Sequence, residues 1–152
     1  MPAPARPILR AATAADLPAI TALLAAEGLP TDDIAAAGVR LWLAEDAGAA
    51  GVLGCGGLED HGEVALVRSL VTAPAARGTG LGARLLARLE AEAAAAGATA
   101  AWLLTTGDGA FFVRHGYRTA ERAAAPAALR ATRQFSSLCP ASAHLYCKPL
   151  LS

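Results

Sequence analysis

The chain has 152 residues, 55% of them hydrophobic, and its 13 basic side chains balance 13 acidic ones. That length suits one domain with its own core, and the balanced charge excludes an overall field that would recruit nucleic acid or an anionic membrane. No apolar run reaches the roughly 18 residues of a membrane helix, and residues 1–7 lack the basic-then-apolar pattern of a secretion signal. The expectation is a single domain over residues 1–152, cytoplasmic, with a small-molecule partner. Cys55, Cys139 and Cys147 are odd in number and lack metal-finger spacing, so they read as reduced thiols with no metal site.

In chain order, residues 8–11 predict a first strand. Thr13 then offers a cap to a helix carrying Leu17, Ile20, Leu23 and Leu24 at helical spacing. Gly28-Leu29-Pro30 ends that helix, and Thr31-Asp32-Asp33 predicts a second short one reaching Gly38. Strand-like runs around Leu41 and Leu43 and over 52–57 flank Asp46-Ala47-Gly48, a hairpin signal.

After Asp60-His61-Gly62, residues 63–72 are rich in Val and Leu and predict a long, mostly buried strand. Alternation along it sets Leu66, Arg68, Leu70 and Thr72 on one face and Glu63, Val67, Ser69 and Val71 on the other, unless a bulge intervenes. Leu81, Leu85, Leu86 and Leu89 then share one face of a helix that Gly97 stops. Residues 101–106 read as a strand, 108–114 as a short helix and 117–122 as a strand. A helix over 126–138 and a last strand around 143–147 complete the chain. The order implies an α/β fold, a mixed central sheet of about six to seven strands with helices on both faces.

The chemistry concentrates where the long strand stops at Pro74 and a helix begins inside Arg77-Gly78-Thr79-Gly80-Leu81-Gly82. Amides at a helix start are unpaired and partially positive, and glycines let an anion approach them. Arg77 adds a charge suited to a pyrophosphate. The segment lacks the Gly-Lys-Ser/Thr of a P-loop and lies mid-chain, unlike a dinucleotide fingerprint. It resembles the Arg/Gln-x-x-Gly-x-Gly/Ala motif of the GNAT acetyltransferase superfamily through Arg77, Gly80 and Gly82, and the element order agrees along almost the whole chain.

The resemblance implies acetyl-CoA as cosubstrate, with its pantetheine arm on backbone groups of Leu70, Val71 and Thr72. Its pyrophosphate would rest on amides from Arg77, Gly78, Thr79, Gly80, Leu81 and Gly82. Members of the family commonly carry an acidic Tyr four residues before a Gly-Phe or Gly-Tyr pair. Here the pair is Gly116-Tyr117 and the matching cofactor-contacting residue is Phe112, which has no proton to give.

On the acceptor side, Arg68 in an apolar strand is either paired within the protein or awaits an anionic substrate. Glu63 and Glu59 are carboxylates able to take an amine's proton, and Glu63 is the catalytic candidate. His61, His115 and His144 read as surface or structural residues. Arg130 and Arg133, one helical turn apart, can clamp a carboxylate or an arsonate-like oxyanion, and Cys139 before Pro140 is a soft ligand or nucleophile.

The stretch from Leu129 to Ala143, with Leu66-Val67-Arg68-Ser69-Leu70, resembles the arsenic-resistance N-acetyltransferase subgroup. The leading expectation is therefore acetylation of the primary amine of a small, anionic molecule, an amino-acid-like toxin or organoarsenical. The alternatives are acetylation of a protein or peptide amine, and metalloid binding by the three cysteines. Homodimer assembly through an edge strand or the last strand is also expected.

Overall fold

The computed structural model describes residues 7–46, 51–107, 109–133, 135 and 143–150. Its strands are β1 (Ile8–Ala11), β2 (Val39–Glu45), β3 (Val52–His61), β4 (Val64–Thr72), β5 (Ala100–Thr105), β6 (Arg118–Ala120) and β7 (His144–Pro149). The helices are α1 (Leu17–Ala26), α2 (Leu81–Ala95), α3 (Ala110–Arg114) and α4 (Ala127–Arg130). The seven strands hydrogen-bond in the order β1-β2-β3-β4-β5-β7-β6. β4 and β5 are parallel, whereas β1 with β2, β5 with β7 and β6 with β7 are antiparallel, which makes the sheet mixed as expected.

The chain forms two compact units. In the first, residues 1–57 and 69–89, neighbouring strand residues point to opposite faces and each face finds a helix. Leu41, Leu43, Cys55 and Val71 pack with Ile20 and Leu24 of α1. Ala44 and Leu70 pack with Leu81 and Leu85 of α2. The second unit, residues 58–68 and 90–152, holds the ladder of β5, β7 and β6. There Tyr117 donates to Glu90 and Lys148 reaches the same carboxylate, each at 2.9 Å.

α1 ends as its glycine demands. Gly28 has φ 75°, and the Leu29 amide returns to the Leu24 carbonyl at 2.9 Å. The expected second helix does not form. Residues 31–38 make successive turns with three-residue returns, Ala36 to Asp33 at 3.0 Å and Val39 to Ala36 at 3.2 Å. So short a segment between Pro30 and Gly38 gives too few helical bonds to offset nucleation, and buried Ile34 anchors it instead.

The long helix expected over 126–138 is interrupted at 131–132, with Arg133 and Phe135 helical again and 134 and 136–138 outside the described residues. α4 stops at Arg130, where the Thr132 hydroxyl donates to the Leu129 carbonyl and accepts the Phe135 amide. A threonine side chain that bonds the backbone in this way starts a new turn rather than continuing the old one. The hairpin tip expected at Asp46-Ala47-Gly48 lies, after Asp46, outside the described residues. Among the described residues no helix is long and apolar enough to cross a membrane.

Candidate active site

β4 leads into the glycine loop through one irregularity. Ser69 is buried and has φ 56°, a left-handed conformation that interrupts strand alternation. The parity linking Arg68 to Leu70 therefore does not carry across Ser69: Arg68 meets Glu59 of β3, whereas Leu70 packs with the α2 leucines. The described parallel register of β4 with β5 runs from Val64–Ala100 to Leu66–Trp102, so Leu70, Val71 and Thr72 lie off that ladder.

Past Thr72 the chain turns at Pro74–Ala76, and the Thr79 hydroxyl ties back to the Ala76 carbonyl. Gly78 and Gly80 have φ 77° and 83°, and nothing lies within 4 Å of where a side chain would begin at either. Both positions therefore require glycine for their backbone, and both face open space. The first helical return is Arg84 N–H to the Gly80 carbonyl, so the preceding amides from Gly78 to Gly82 precede the helical ladder. Arg77's own amide donates to the Pro74 carbonyl, which removes it from the set expected to face an anion. Its guanidinium, 55% exposed, is ion-paired at 2.5 Å with Glu27, the residue that closes α1. Open space, unspent amides and an adjacent arginine make this loop a fit for a pyrophosphate.

In the second unit, the Arg68 side chain is 0% exposed and donates to Glu59 Oε2 at 2.9 Å. His61 Nε2 lies 3.3 Å from the other oxygen of Glu59. This grouping was invisible as a site in the sequence: the arginine and the carboxylate are nine positions apart and meet only because the hairpin folds. Glu63 is exposed in the turn before β4, and its backbone carbonyl accepts the Thr99 amide. Arg130 and Arg133 are exposed at the end of α4 and just beyond it. Phe112 packs edge-on to Tyr117 at 5.8 Å. Cys139 lies outside the described residues.

Cys55 is buried, and burial pushes its thiol up to about 12, so it stays protonated near neutrality. Among the described residues no group of three or more His, Cys, Asp or Glu side chains is arranged to hold a metal. Apart from the loop, the first unit carries a groove of 440 Å³ beside Ala11, Thr13, Leu17, Ile34, Arg40 and Trp42.

A mixed seven-stranded sheet whose bulged central strand feeds a glycine loop at a helix start is the fold class of acetyltransferase domains. The sequence matches the acetyltransferase (GNAT) domain over residues 37–119, more than half the chain, and the protein belongs to the GNAT acetyltransferase family. Among solved structures it is similar to N-acetylglutamate synthase from Neisseria gonorrhoeae complexed with coenzyme A and N-acetyl-glutamate. That similarity has a TM-score of 0.80 and 23% identity, and covers 97% of this chain but 36% of the synthase. Rv2747 from Mycobacterium tuberculosis, solved with CoA, gives 0.79 and 24%, covering 95% of this chain and all of the other. The GNAT N-acetyltransferase YhbS from Escherichia coli, also with CoA, gives 0.70 and 21%, covering 99% and 84%. At these identities the likeness establishes the fold. Nothing matches among the curated proteins.

Proposed function

We propose that the protein transfers an acetyl group from acetyl-CoA to the primary amine of a small, anionic molecule. The loop of the first unit carries this reading, because Gly78 and Gly80 open a run of amides to an anion beside Arg77. Acetyl-CoA held there supplies a thioester carbon that an amine attacks. As the N–C bond forms, the C–S bond breaks, the nitrogen sheds one proton and the thiolate takes one up. The amides of Gly78 to Gly82 bind and orient the pyrophosphate, and backbone groups of Leu70, Val71 and Thr72 carry the pantetheine arm. Phe112 has no exchangeable proton, so the thiolate's proton does not come from that position.

For the amine's proton, Glu59 is the better candidate than the turn residue Glu63. Glu63 is exposed in the turn before β4, whereas Glu59 is held by the buried Arg68 side chain within the β3–β4 hairpin. His61 on its other oxygen provides an onward route for the proton. A Glu59→Gln enzyme should lose about 100-fold in kcat/KM, while Glu63→Gln should stay within about twofold, the scale of an exposed surface change. The reverse ranking in the pH–rate profiles would return the role to Glu63.

Arg68 is bonded to Glu59, and the exposed Arg130 and Arg133 are the residues we assign to the acceptor's anionic group. The crystallised synthase with N-acetyl-glutamate supports an amino-acid-like acceptor. The arsenic-resistance resemblance of the 129–143 segment narrows it to an amino-acid-like toxin or organoarsenical. Thiol-based metalloid binding is less well supported, since buried, protonated Cys55 is a poor soft ligand.

Calorimetric titration with acetyl-CoA tests the core of this reading. Wild type should bind saturably and Gly80→Glu should not, because it adds bulk and negative charge where the backbone has φ 83°. Absence of wild-type binding would overturn it. With binding in hand, CoA release across amino acids, amino-arsonates and peptides identifies the acceptor. Removing Arg130 or Arg133 should raise the KM of an anionic acceptor about tenfold, the lower end for a charge-assisted hydrogen bond.

A further inference from the structure

Glu27 has no place in the reading above, yet it is the partner of the loop's only arginine. It closes α1, a helix with no basic residue in its last turn, so a cation drawn from 50 positions away also complements that helix end. The two partners are unequally held: Glu27 is 22% exposed and Arg77 is 55% exposed. The arginine is the arm free to swing, and the carboxylate is the fixed post. Arg77 also sits where a polyanion would arrive, one residue before the left-handed Gly78.

We infer that Glu27 sets the affinity of the loop for its polyanionic ligand by competing for Arg77, which makes it a positioning residue for cofactor capture. An incoming pyrophosphate must draw the guanidinium off Glu27 and leave a partly buried carboxylate behind. Part of the binding free energy is therefore spent on breaking an internal pair. Competition of this kind weakens capture but also eases release of the spent cofactor, because Glu27 reclaims the arginine as the anion departs. This inference rests on the proposed use of the loop.

The test is a double-mutant cycle read by calorimetry with acetyl-CoA, using wild type, Glu27→Gln, Arg77→Gln and the double variant. Glu27→Gln should bind about two- to fivefold tighter, the range that an exposed ion pair is worth. In the Arg77→Gln background the same change should alter Kd by less than about 1.5-fold, within the usual tolerance for additivity. Weaker binding by Glu27→Gln would make the pair a structural tether and overturn the inference. Equal tightening with and without Arg77 would also overturn it, by showing simple repulsion from the carboxylate. Melting curves without ligand verify that each variant is folded. Binding abolished by Gly80→Glu upholds the loop reading whatever the cycle gives, so the two ideas fail separately.

Discussion

Gly109 has φ 73°, and a β-carbon built there would lie 2.0 Å from the Tyr146 hydroxyl. Gly109→Ala therefore combines a strained backbone with an overlap against a buried aromatic ring, and should cost about 3 kcal/mol or more in urea denaturation. A second residue-scale expectation concerns acid. Hydrogen bonds from Arg10 hold Asp16 well below the usual carboxylate range, helped by the Thr13 amide, and Arg10 lowers Glu45 in the same way. Carboxylates depressed in the folded state contribute stability above their unfolded range near pH 4, and that contribution is lost as pH falls below it. Replacing Arg10 by Met should flatten the fall of Tm below roughly pH 4, leaving the neutral-pH slope unchanged. An acid limb as steep as wild type would show that these carboxylates do not govern it.

At the scale of elements, what could be read from the sequence tracks how local the cause is. Leu81, Leu85, Leu86 and Leu89 repeat at helical spacing, and all four are buried on α2. The glycine loop was legible because left-handed backbone needs glycine, and the need is written at positions 78 and 80. Thr132 illustrates the opposite case. Its neighbours keep helical spacing, but one hydroxyl bonding Leu129 and Phe135 ends α4, and spacing cannot report a side-chain bond to the backbone. Thr132→Ala should lower stability by about 1 kcal/mol, and Thr132→Asp, which still accepts the Phe135 amide, should recover part of it. Ser69 was legible only as the allowance for a bulge, because serine carries no preference for φ 56°. The pairs Glu27–Arg77 and Glu59–Arg68 needed the fold itself, since charge partners on different elements leave no periodic trace.

Over the whole molecule, the strand order puts β7 between β5 and β6. β6 is three residues long and its described pairing is with β7 alone, from Arg118–Cys147 to Ala120–Leu145. β7 matches β5 along its whole length, from Ala100–Pro149 to Thr105–His144. During synthesis β6 is therefore made with no ladder to join, and β5 waits with one edge bare, until residues 144–149 have been made. An apolar edge held open through translation is a template for pairing with other nascent chains. The exposure lasts longest when ribosomes stall between Ala120 and His144. Slow codons in that interval should lower soluble yield in expression, even though the encoded protein is unchanged.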